Sequence, residues 1–500
     1  MPSFRQKVAG FIRQLSNPSE NRQCEEHHPR SRSDCFIQRY LSGQEVRPDE
    51  PKIEHGRTAY ELPPKMIGVV SRPIITAMTG PNGGLTTVNQ RQRHLSISDP
   101  DVHFIDIIDE ETQSGSRDAN SNMSALNCNV IPPPPEYAAT GSFLPLQKSE
   151  STPNACEKPE TITEGTDIAG VSDWGNGTPW SYGCSTTLYE RHPLTGVPAG
   201  EPIADCFAIV SRQDSSILCL ADGVNWGVKA SLAARAAVHG CVEYLNKSVF
   251  SWPLTSTTEV FIALLRSFHA AHNLILQEDG MLTTLTAAVV LPLVAPDRYI
   301  VCACNVGDSL AYVYSPQSGV REITQGSHDL HRMRDMRDAL GALGPVDGQN
   351  PELGNLTCSM TEVEAGDIIF LTSDGISDNL DPVVGKFTGL PTVEAHQRHK
   401  LTLLRTEDLL RNGVSGCGPP CATARDLVTL LIDFVTRLTA AKRRILEDIE
   451  LYTGVNGGPL SRGEQRSRRK DVCAKLAMVP GKLDHATVVA YTVGNAKPLT

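Results

Sequence analysis

Three aspartates, each beside a short apolar run, constrain most tightly what this chain can fold into. They are Asp222 in Leu220-Ala-Asp-Gly-Val-Asn-Trp-Gly227, Asp374 in Phe370-Leu-Thr-Ser-Asp-Gly-Ile-Ser-Asp378, and Asp484 in Leu483-Asp-His-Ala-Thr-Val-Val489. A β-prone run next to a carboxylate places that carboxylate at a strand end. Carboxylates at the ends of neighbouring strands can converge on one point. Oxygen donors of that kind suit a hard cation such as magnesium or manganese.

The rest of the chain divides in two. Residues 1–170 are polar and turn-rich, with a proline run at Pro132–Pro135. Weak periodicity and high polarity read as a largely disordered N-terminal region. The proline run reads as a stiff linker, or a polyproline segment that could dock an aromatic groove. One exception stands at the start. Phe4, Val8, Phe11, Ile12 and Leu15 recur at helical spacing, with Arg5, Lys7 and Arg13 between them. That predicts a short basic amphipathic helix, suited to a membrane surface or a partner groove; a mitochondrial presequence and a marginal helix without a dedicated role are the alternatives.

From residue 171 the pattern becomes globular. Strands are predicted over 207–210, 216–221, 283–291, 299–304, 310–314, 367–372 and 487–491. Helices are predicted over 230–245, 257–277 and 424–452, and Asp308 falls in a tight turn between two strands. This order fits an α+β architecture, with sheets packed on each other and helices outside. A divergent helical or loop insertion is expected at about 384–480.

The formal net charge of −11 argues against a general nucleic-acid binder. The first twenty residues lack a continuous apolar core, and no run of about 18 apolar residues occurs, so neither a secretory signal nor a membrane span is expected. The 14 cysteines are scattered and read as reduced, structural thiols of a cytoplasmic protein, with a nuclear location also open.

Several segments, in order, resemble the metal-dependent protein phosphatases, the PPM or protein phosphatase 2C family. Ala204-Asp205-Cys206-Phe207-Ala208 resembles the opening acidic strand, and Ala221-Asp222-Gly223 an Asp-Gly metal motif. Leu282-Thr-Thr-Leu-Thr-Ala287, Asn305-Val-Gly-Asp-Ser-Leu310 and Ala339-Leu-Gly-Ala-Leu-Gly344 are similar to mid-domain segments. Thr372-Ser-Asp-Gly-Ile-Ser-Asp378 is similar to the second Asp-Gly motif, and Asp484-His-Ala-Thr487 to the closing Asp-Asn-x-Thr. The resemblance covers roughly 171–493. It implies an α-β-β-α sandwich of two antiparallel sheets flanked by helices, with a binuclear magnesium or manganese centre at one end. Asp222 would bridge the ions, the Gly223 carbonyl would ligate one, and Asp374 and Asp484 the other. Asp205, Asp378 and His485 are possible supporting residues. Two such ions lower the pKa of a shared water and hold the phosphoryl oxygens for in-line attack.

The pattern also breaks. Where the family has a Glu before the opening Asp, this chain has Ala204. Where a phosphate-binding Arg is expected, the ungapped position is Gly200, and Arg191 and Arg212 are the nearest arginines. The Asp-Gly-His-Gly-Gly run becomes Asp222-Gly-Val-Asn-Trp-Gly227, so Val224 replaces the His. Losing a charge-stabilising donor costs about 10²–10³ in rate, and losing a general acid about 10²–10⁴. A basic run, Arg462, Arg466, Arg468, Arg469 and Lys470, could compensate or could be a solvated loop. Two functions follow: a divergent metal-dependent serine/threonine phosphatase acting on a phosphoprotein, or a catalytically impaired pseudophosphatase that binds or regulates a protein partner. A monomer is expected.

Overall fold

The computed structural model describes residues 51–81, 84–85, 167–175, 177–251, 254–324, 341–387, 395–454, 458 and 460–494. The expected helix at residues 4–15 and the proline run lie outside them. In chain order the strands are β1 (Ile53–Gly56), β2 (Thr76–Gly80), β3 (Ser181–Thr187), β4 (Asp205–Ser211), β5 (Ser216–Asp222), β6 (Leu285–Pro292), β7 (Arg298–Val306), β8 (Leu310–Ser315), β9 (Gly319–Glu322), β10 (Ala342–Asp347), β11 (Asn350–Glu352), β12 (Thr357–Glu364), β13 (Ile368–Thr372) and β14 (His485–Thr492). The helices are α1 (Val228–Val249), α2 (Thr257–Gln277), α3 (Asp374–Leu380), α4 (Ala395–Asn412), α5 (Ala424–Leu446) and α6 (Arg462–Met478).

Two antiparallel sheets form the middle of the fold. The larger has the order β1-β12-β7-β6-β5-β4-β2, and the smaller β3-β14-β13-β8-β9. A short ribbon of β10 and β11 stands apart from both. The central strands are apolar on nearly every residue because both of their faces are covered. In β5, Leu218 and Leu220 point between the sheets, where they join Val313, Ile369, Leu371 and Val489. Ile217, Cys219 and Ala221 point the other way, into a core shared with α1 and α2. The outer face of the smaller sheet packs Phe370, Val488 and Ala490 against Leu427, Leu431 and Val435 of α5. The layers therefore run helix, sheet, sheet, helix, the α+β sandwich expected from the sequence.

Helix ends follow their sequence signals. Ser256 and Glu259 form a capping box that starts α2. Thr423 with Asp426, and Ser461 with Glu464, do the same for α5 and α6. Each box satisfies backbone N–H groups that the first turn leaves open. The long helix expected over 424–452 ends at Leu446, and a single 3₁₀ turn, Ile449–Leu451, follows.

One expectation is corrected. The stretch 1–170 reads as irregular, yet β1 and β2 arise within it. They occupy opposite edges of the larger sheet: Ile53 pairs with Thr361, and Thr76 with Ser211. Both runs are short and half polar, so periodicity does not reveal them. The open edge of an existing sheet supplies their hydrogen bonds, which is tertiary context overriding local preference.

Candidate functional site

Strand register brings the acidic residues together. Asp205 opens β4 and Asp222 closes β5, directly opposite one another. Asp308 sits in the turn between β7 and β8. Asp374 is the first residue of α3, just past the end of β13, and Asp378 lies one helical turn on. Asp484 immediately precedes β14. Six aspartates thus meet at one end of the sandwich, the three singled out from the sequence among them.

The glycine after each Asp of the two Asp-Gly motifs has a physical reason. A Cβ on Gly375 would fall 1.8 Å from the His485 carbonyl oxygen. A Cβ on Gly223 would fall 2.4 Å from the Ala230 carbonyl oxygen at the start of α1. Only a residue without a side chain lets the α3 and α1 turns close against the sheet end.

The residue that sequence reading missed is Lys482. Its ammonium is 2.9 Å from Asp378 Oδ2 and 2.9 Å from Asp484 Oδ2, and it also binds Asp374 Oδ2. An ammonium has three N–H donors and no acceptor, so three carboxylates saturate it. The backbone holds it in place. Lys482 N donates to Asn379 Oδ1 at 2.8 Å, and Asn379 Nδ2 donates to the Lys482 carbonyl at 3.1 Å. Asn379 lies on α3 itself, so the lysine is clamped to the helix that carries two of its three partners. The available signal was the spacing: Asp374 and Asp378 are i and i+4 on one helix face, and Lys482 stands two residues before Asp484.

The charges are unevenly matched. Burial alone would lower the Lys482 pKa, but Asp374, Asp378 and Asp484 outweigh it and raise the pKa. Burial, then Asp205, Asp374, Asp484 and Asp308, push the Asp222 carboxyl well above the usual range. Burial, followed by Asp374 and Asp378, pushes Asp308 up to about 7. Asp205 is fully buried beside Ser373, Thr487 and His485, with neither carboxylate oxygen in a well-formed hydrogen bond. Burial pushes it up to about 6. Asp484 is raised by burial and by Asp374, while Lys482 pulls it back. Among the described residues, no hydrogen bond or ion pair reaches the Asp222 carboxylate, whose charged neighbours are Asp205, Asp374, Asp484 and Asp308. The buried Asp374 Oδ1, the oxygen that Lys482 does not hold, has no hydrogen-bond partner among them either.

Other expected residues serve as scaffolding. His485 is buried; its Nε2 donates to the Gly200 carbonyl at 2.5 Å and its Nδ1 accepts from Ala204 N at 3.3 Å. Both ring nitrogens are used, so His485 braces the loop before β4. A Cβ on Gly200 would lie 2.4 Å from the Tyr189 ring, so that position has no room for an arginine. Arg212 lies at the far end of β4 from Asp205, over the Phe250 ring and bonded to Asn246. Arg191 is exposed at the surface. The basic run lies on α6, where Arg469 binds Glu190 at 3.0 Å and Arg468 binds backbone carbonyls. At the rim, Tyr189 donates to Asp484 Oδ1 at 3.2 Å and stacks on the exposed Trp226, with ring centroids 5.3 Å apart.

The donor set does not fit the two-ion centre that the sequence resemblance implies. Lys482 already holds Asp374 and Asp484, the two carboxylates that one ion would need. Among the described residues, no three His, Cys, Asp or Glu side chains are arranged to hold a metal ion. Also among them, no helix is long and apolar enough to cross a membrane.

Comparison with known proteins fits this architecture. The family model for protein phosphatase 2C matches residues 197–404. The Drosophila melanogaster PP2C-like domain-containing protein CG9801 is 38% identical over 683 aligned positions, covering 99% of this chain and 96% of the fly protein. The chain belongs to the protein phosphatase 2C-like family. Solved structures similar to this family member include the Mycobacterium tuberculosis serine/threonine phosphatase PstP/Ppp, at 16% identity and a TM-score of 0.32 over 63% of this chain and 98% of that one. A bacterial serine phosphatase aligns at 13% identity and a TM-score of 0.35, over 63% and 97% of the two chains.

Proposed function

We propose that this chain is a phosphatase-like module in which phosphomonoester hydrolysis is impaired and which binds or regulates a phosphoprotein partner. One observation carries the reading. Lys482, the cationic side chain that reaches the acidic cluster among the described residues, is saturated by three carboxylates. A phosphoryl group needs cations or preorganised donors around its oxygens. Here it would face aspartates whose counter-charge is already committed. Gly200 and Val224 stand where the family resemblance expects a phosphate-binding arginine and a general acid, and they supply neither.

A second reading, a slow metal-dependent serine/threonine phosphatase, is favoured by Asp222, whose carboxylate has no partner among the described residues. Magnesium or manganese would be its ion, since oxygen-only donors prefer hard cations. Aryl-phosphate hydrolysis by the full chain in millimolar manganese separates the two. We expect turnover indistinguishable from that of the Asp222→Asn variant. Metal-dependent turnover that the variant loses would overturn the impaired reading.

A further inference from the structure

We propose that the Lys482 ammonium is a built-in replacement for one of the two divalent ions, so that the acidic cluster takes fewer than two. The inference deepens the impaired reading, but metal stoichiometry is its readout, so each can fail alone.

The geometry is that of a filled cation site. Nζ draws one oxygen from each of Asp374, Asp378 and Asp484, and these come from two separate chain segments. The Asp484 carboxylate has little left to offer: Oδ2 accepts from Lys482, and Oδ1 accepts from Tyr189 and from the His485 backbone N–H at 2.9 Å. A divalent ion entering there would have to displace a cation tethered to the same backbone. That backbone is pinned to α3 through Asn379, and the Gly481 carbonyl accepts from Lys442 on α5. Gly481 itself adopts φ +93, with Thr439 and Asn379 packed close about it, so the lysine enters from a fixed turn. An ammonium satisfies charge but offers no coordination position for water. It stabilises the fold without generating a nucleophile.

Asp222 marks the other half of the cluster. Its carboxylate faces Asp205 across β4 and β5 and has no cation of its own among the described residues.

Manganese titration of the chelator-treated full chain, followed by calorimetry, tests this. The wild type should bind at most one ion per chain, and Lys482→Ser should bind one more than the wild type. If loss of the ammonium unfolds that variant without metal, its melting temperature should rise in manganese far more than that of the wild type. Asp374→Asn in the otherwise native chain is the independent arm. If Asp374 holds an ammonium, manganese binding should stay unchanged; if it ligates metal, affinity should fall by about tenfold or more. Two ions in the wild type, or a loss of affinity in Asp374→Asn, overturns the proposal.

Discussion

Asp374, Asp378 and Asp484 share a single ammonium, whereas Asp222, at the end of a strand in the facing sheet, has other carboxylates as its charged neighbours. Both halves are built from the same residue type at the same end of the sandwich. The difference is one lysine, delivered by the loop before β14. It teaches that a buried acidic cluster can be stable where its own chain supplies the counter-charge, and carries repulsion where it does not. Substitutions on the two sides should therefore differ in sign.

The largest effect is expected from Lys482→Ala. Removing one partner of a buried ion pair destabilises by about 3–5 kcal/mol, because the other charges stay behind. Urea denaturation of the full chain should show the midpoint fall accordingly; a loss below about 1 kcal/mol, the range of exposed pairs, would sink the counter-charge argument. Asp484→Asn comes next. It weakens a charge-assisted bond to Lys482, and such bonds contribute about 1.5–3 kcal/mol. The same denaturation curve should register a smaller loss than for Lys482→Ala. Asp222→Asn should go the other way in chelator, stabilising by about 1 kcal/mol, because it removes a charge from among like charges. A clear destabilisation there would erase the contrast between the halves. Arg469→Ala is the smallest. Its side chain is 44% exposed on its ion pair with Glu190, so about 0.5 kcal/mol should be lost.

Much of this arrangement is legible in the sequence, and the missing part has a physical pattern. Runs such as Ile217–Ala221 and Val289–Leu291 reveal themselves because both faces of their strands are buried. The aspartates reveal themselves because they adjoin such runs. Lys482 does not, because its role depends on a helix that starts more than a hundred residues earlier and on a clamp from Asn379. His485 shows the same limit. A histidine beside a metal-ligand candidate suggests acid chemistry, yet its two nitrogens are consumed by the Gly200 carbonyl and the Ala204 N–H. That environment is a product of folding and leaves no local mark. Helix α6 is the converse: its basic run is plain in the sequence, and no residue in it is buried.

The strands β1 and β2 carry a practical consequence for anyone cutting this protein down. A fragment beginning at residue 171, where the globular pattern starts, would leave β12 and β4 as bare margins, each with a row of unsatisfied backbone groups able to recruit another molecule. Such a fragment should precipitate or self-associate where the full chain does not. A failure to purify it active would then report on lost margins and say nothing about catalysis. Cuts placed before residue 51 keep both strands.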